Sequence, residues 1–123
     1  MLLAVSSGCA LQGEMPGAGV PPPPSADGGM SPASESLLAQ ARAQRNAGEP
    51  GQASMTLERA IRIDPDQPAL WLELARVHFD DGNFTQAEQL ARKAGALAPP
   101  AGPLRSSIDA VVEEARRRQG SAP

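Results

Sequence analysis

The sequence predicts an all-α fold: two antiparallel helix hairpins closed by a terminal amphipathic helix. Three observations carry this. From Ser34 onward Leu, Ala, Arg, Glu and Gln dominate, and apolar residues recur with a helical period. Aromatic residues make up 2% of the chain and tyrosine is absent, which argues against a β-sandwich or barrel, whose strands draw on aromatic and β-branched side chains. Helix-breaking residues then repeat at a fixed interval, Gly48 with Gly82 and Pro65 with Pro99.

The breakers divide this region into five helices. The first runs from about Ser34 to Ala47 and stops at Gly48. A second, Pro50 to Ile63, ends ahead of Asp64-Pro65. The third opens at Asp66-Gln67-Pro68, with Asp66 as the expected N-cap, and continues to about Asp81. The fourth follows Asn83 and reaches Leu97 before Pro99-Pro100. Gly102-Pro103 opens the last, which ends near Arg118, where Arg116, Arg117 and Arg118 suit the negative end of the helix dipole.

Shifting the chain by 34 residues superimposes the first two helices on the next two. Ala41 falls on Ala75, Ala53 on Ala87 and Ala60 on Ala94, and Arg42 falls on Arg76. Small residues in register between glycine and proline stops mean hairpin arms that touch through alanines. The second copy carries Trp71, Leu74, Ala75, His78, Gly82, Phe84, Ala87, Ala94 and Pro99 at the spacing of the tetratricopeptide repeat family, which the chain resembles. Ala75 stands where that family usually has Gly, and His78 where it has Tyr. The first copy keeps Ala41, Gly48, Ala53, Leu57, Ala60 and Pro65, with Leu37 in place of Trp. Residues 34–67 are thus expected as repeat 1, 68–101 as repeat 2 and 102–119 as a capping helix, together a 34–119 domain. The cap carries Leu104, Ile108, Val111, Val112 and Ala115 on one stripe and Arg105, Asp109, Glu113 and Arg116 on the other.

Residues 10–33 offer little to bury: eleven of the 24 are Gly or Pro, including Pro21 to Pro24. Such a composition cannot offset its ordering entropy, and a disordered tether is expected. It follows residues 1–9, in which Val5-Ser6-Ser7-Gly8-Cys9 resembles a bacterial lipobox. The resemblance implies lipidation at Cys9. Gly8 and Ser7 fit it, whereas Ser6 replaces the usual Leu, and Met1 to Val5 is short for a signal peptide and has no basic n-region. A start upstream of Met1 would make this a truncated signal segment and the protein an outer-membrane lipoprotein facing the periplasm, Ala10 resembling the sorting residue for that membrane. Otherwise the protein is expected in the cytoplasm.

The composition excludes several activities. One Cys and one His leave no zinc set or His-based catalytic arrangement, and a formal charge of −3 gives no nucleic-acid footprint. His78 and Trp71 read as packed residues, Asp64, Asp66, Asp80 and Asp81 as turn and cap residues, and neither Ser106 nor Ser107 has a base to activate it. No enzyme, metal, cofactor, small-molecule substrate or nucleic acid is therefore expected; the membrane is reached only through the lipid anchor. In the family, the first helix of each hairpin lines a concave partner groove. This places Glu35, Leu38, Arg42, Arg45, Glu73, Arg76 and Phe79 on that side. Arg42 and Arg76 either fork onto carboxylates of a partner or pair with Glu35 and Glu73. Phe79 is the expected apolar anchor. The whole plan resembles the outer-membrane lipoprotein activators of class A penicillin-binding proteins, implying a non-catalytic domain that docks on and activates a peptidoglycan synthase. A scaffold for another envelope complex (secretion, pilus or outer-membrane assembly) and a cytosolic adaptor are the alternatives.

Overall fold

The computed structural model describes residues 29–120, all of whose regular structure is helical. The helices are α1 (Pro32–Asn46), α2 (Pro50–Ile63), α3 (Pro68–Asp80), α4 (Phe84–Leu97) and α5 (Pro103–Gly120). Helices α1 and α2 form one antiparallel hairpin, α3 and α4 the next, and α5 packs against α4 and α3 as the C-terminal cap. Cys9 and most of the expected tether lie outside the described residues.

The two hairpin turns are built alike. Gly48 and Gly82 adopt φ of 76° and 82°. In the first, Gly48 N–H donates to the Arg45 carbonyl and Glu49 N–H to that of Gln44; in the second, Gly82 donates to Phe79 and Asn83 to His78. Both are the paired closing bonds of a Schellman turn, which requires a left-handed residue that glycine supplies without steric cost. The N-termini differ from expectation. Ser31 caps α1, its hydroxyl accepting from Ser34 N–H at 3.3 Å, and Met30 packs on the core. Residues 29–33, read from composition as tether, thus belong to the folded domain. The N-cap of α3 is Gln67 rather than Asp66, with Pro68 fixing the first turn.

Asp64, just past α2, ties the two ends of the first hairpin together. Its carboxylate accepts from the Ser31 hydroxyl at 2.7 Å and the Ser31 N–H at 2.9 Å. Those hydroxyl bonds from Ser31, and a further one from Ser34, hold its pKa below the ordinary aspartate value.

Alanine makes the stacking possible. Ala41, Ala53, Ala60, Ala75, Ala87, Ala91 and Ala94 are fully buried, so the helix backbones approach closely around Leu57, Leu70, Leu74 and Val77. Position by position, α3 buries Leu70, Leu74 and Val77 against the first hairpin, and α5 turns Leu104, Ile108 and Val111 towards the second. The equivalent residues of α1 are Ser36, Gln40 and Ala43, all exposed. At the far end, α5 exposes Ser106, Asp109 and Glu113 where α3 has Leu72, Ala75 and Phe79. The stack therefore presents polar outer faces at both ends, as one-dimensional repeat arrays require.

Helix α5 also continues the repeat. Trp71 Nε1–H donates to the Pro65 carbonyl at 2.7 Å, at the end of α2. One period later Arg105 donates to the Gly95 carbonyl at 2.8 Å, at the end of α4. Gly95 leaves room for it: a Cβ there would lie 3.0 Å from an Arg105 nitrogen. Arg105 is thus half-buried against the negative end of α4 rather than on the polar outer stripe.

Candidate partner-binding groove

Helices α1, α3 and α5 line one side of the stack. Between them run two adjoining recesses that share Arg76 and Ser107. The first, about 310 Å³, is nearer the helix N-termini and is bounded by Arg42 of α1, Ala69, Leu72 and Arg76 of α3, and Pro103, Leu104 and Ser107 of α5. The second, about 290 Å³, lies between Arg76, Phe79 and Asp80 of α3 and Ser107, Ala110, Val111 and Glu114 of α5. Helix α5, expected only as a cap, is therefore a wall of the groove. Its offset of one further period from α3 is the sequence signal that shows this.

Beneath the groove lies Glu73, 1% exposed. Its carboxylate meets Arg42 Nε, Arg45 Nε and Arg76 Nη1, each at 3.3 Å. Arg42 and Arg76 donate hydrogen bonds to Oε2. The Arg45 contact to Oε1 lies within ion-pair distance but lacks hydrogen-bond alignment, and Arg45 also reaches Asp80 at 3.7 Å. Burying one carboxylate is tolerable here because three guanidiniums surround it, while their outer parts keep contact with water.

The sequence-derived groove set thus separates. Arg42, half-exposed at 52%, and Arg76, at 32%, stand at the recess walls. Glu73 is not a surface group: it lies under these arginines and fixes them. Leu38, 7% exposed, belongs to the hydrophobic core with Ala41 and Leu57, because the boundary of buried surface on α1 falls between positions 38 and 42. Phe79 lines the second recess and is half-buried, with the Phe84 ring at 5.1 Å in an edge-to-face arrangement. The Arg118 guanidinium lies 5.7 Å from its centroid. Arg118 is held by Glu114, whose pKa is lowered first by that hydrogen bond and then by the charges of Arg117 and Arg118. Glu35 is exposed on α1, and Arg45 lies mostly beneath the surface with Glu73.

Trp71 and His78, read as packed, are both partly exposed. Trp71 touches both core clusters while Lys93 sits 5.5 Å from its ring. His78 borders a shallow polar recess at the α3–α4 turn with Asn83, Thr85 and Gln86. Among the described residues no group of three His, Cys, Asp or Glu side chains could hold a metal ion, and no helix is long and apolar enough to cross a membrane.

Residues 44–105 match the family model of the tetratricopeptide repeat. Among solved structures, the globular C-terminal domain of Pseudomonas aeruginosa LpoP is similar, with 31% sequence identity and a TM-score of 0.71. The match covers 76% of this chain and 89% of that one. No curated protein matches.

Proposed function

The chain belongs to the tetratricopeptide repeat family, and from that premise we propose that it is a non-catalytic, lipid-anchored docking module of the bacterial envelope that activates a class A penicillin-binding protein. The observation that carries this reading is the likeness to the LpoP domain, at 31% identity across 89% of that domain. The lipobox-like stretch before Cys9 and the Pro/Gly-rich residues after it agree with such a layout. Fully extended, a tether of residues 10–28 would reach about 65 Å; as a flexible coil its r.m.s. reach would be about 24 Å. Either would carry the domain clear of the outer membrane towards a synthase. Docking in the α1–α3–α5 groove would raise activity by favouring the synthase conformation that binds more tightly.

Two measurements test this. Glycan polymerisation by the purified synthase should accelerate when the full chain is added, and palmitate labelling in cells should vanish in Cys9→Ser. A rate unchanged at saturating protein would refute the activator role, and label retained in the variant would refute the anchor.

A further inference from the structure

The two recesses of the groove differ in charge. Arg42 and Arg76 border the first, and no carboxylate does. Their shared counter-charge, Glu73, lies beneath them and serves three guanidiniums at once. Asp80 reaches only Arg45, so the cluster keeps an excess of positive charge. Each of Arg42 and Arg76 gives one nitrogen to Glu73. A guanidinium carries five N–H donors in a rigid fork, so donors remain for a carboxylate from outside. Immediately beside them the second recess offers apolar surface from Phe79, Ala110 and Val111.

We infer that the groove recognises a peptide segment of the protein partner through two side chains, an Asp or Glu on Arg42 and Arg76 and an apolar residue against Phe79 and Val111. The inference rests on the docking role proposed above and specifies its chemistry. Charge complementarity selects the acid: a basic segment would meet two guanidiniums already crowded around one carboxylate. The α3 residues lining the two recesses are centred about six positions apart, roughly 9 Å along the helix. An extended peptide covers that in about three residues, so the acid and the apolar residue stand two or three positions apart. Glu73 is a positioning residue, holding both arginines at the groove wall. Arg42 and Val111 lie outside residues 44–105, the stretch matched by the family model, whereas Arg76 and Phe79 lie within it.

The test uses the full chain, isotope-labelled for NMR, and three blocked pentapeptides: acetyl-Gly-Asp-Ser-Leu-Gly-amide, its Asn-for-Asp form and its Ala-for-Leu form. The Asp peptide should shift the Nε–H signals of Arg42 and Arg76 and the amides of Ala110 and Val111. The Asn peptide should bind about tenfold more weakly, the Ala form also more weakly, and raising salt from about 50 to about 500 mM should weaken the Asp peptide. Arg42→Gln should reduce the Asp peptide to the Asn level while leaving the thermal midpoint nearly unchanged, since Arg42 is half-exposed. Equal binding of the Asp and Asn peptides would overturn the inference, as would shifts confined to α2 and α4 or no shifts at millimolar peptide. Displacement of the peptide by phosphatidylglycerol vesicles, with the same arginine signals moving, would assign the site to a lipid and overturn it too. The peptide comparison uses the unaltered chain, so it does not depend on how any variant folds. A synthase activated equally by Arg42→Gln would end this inference and leave the docking role standing. Failure to activate any synthase, with Asp-selective binding retained, would do the reverse.

Discussion

Replacing Glu73 by Gln should destabilise the domain more than any exposed charge change in the chain. The side chain is 1% exposed and its carboxylate stands 3.3 Å from three guanidinium nitrogens. Removing one partner of a buried ion pair costs about 3–5 kcal/mol, because the remaining charge is left without compensation. Here three like charges would face each other across a neutral amide. Arg42 and Arg76 are 52% and 32% exposed and can turn towards water, which places the loss near the lower end, about 3 kcal/mol. For a domain of this size that corresponds to a fall of about 12–24 °C in melting temperature. Urea unfolding followed by far-UV circular dichroism would measure it, with the m-value as a check on two-state behaviour. Salt should return part of the loss, since repulsion among half-exposed arginines is screened. Arg42→Gln, by contrast, should cost under about 1 kcal/mol. A Glu73→Gln variant within about 1 kcal/mol of the parent would refute the claim that this carboxylate organises the groove.

Three further outcomes follow from other parts of the fold. Gly82→Ala places a side chain in open space but at φ of 82°, so urea unfolding should show a loss of about 1–2 kcal/mol from backbone strain alone. Ala94→Leu, at a fully buried position packed with Leu72 and Ile108, should cost about 1–3 kcal/mol by overpacking and lower the melting temperature accordingly. Asp64 has a folded pKa held below its unfolded value of roughly 3.9. Its contribution is therefore complete well above that value and lost as pH falls through the lower folded pKa. The stability gap between the parent and Asp64→Asn should be constant near neutral pH and close below about pH 4, as read from urea midpoints across a pH series. A gap that widens on acidification would reverse the sign of this linkage.

Much of the architecture is legible in the sequence. Gly48, Gly82, Pro65 and Pro99 mark the helix ends because each acts locally: a left-handed turn needs glycine, and proline cannot continue a helix interior. The alanine series showed where helices touch, since no larger residue admits so close an approach. The groove was less legible. Leu38 and Arg42 are one helical turn apart and differ by only about 40° around the axis. Whether the edge of the core falls between them depends on how neighbouring helices cross, which periodicity does not encode. Arg105 misled for a similar reason: its charge suggested solvent, whereas the carbonyls at the end of α4 receive it.

Helical class, the 34-residue period, the turn positions and the small-residue seams can all be read along the chain, because each depends on residues close together in it. Packing between helices is what buries Glu73 under Arg42, Arg45 and Arg76, brings Phe79 to Phe84 and Arg118, and makes α5 the third wall of the groove. Those arrangements join side chains from three or four helices. Their energies depend on distance and solvent access across the stack, quantities fixed when the helices pack together.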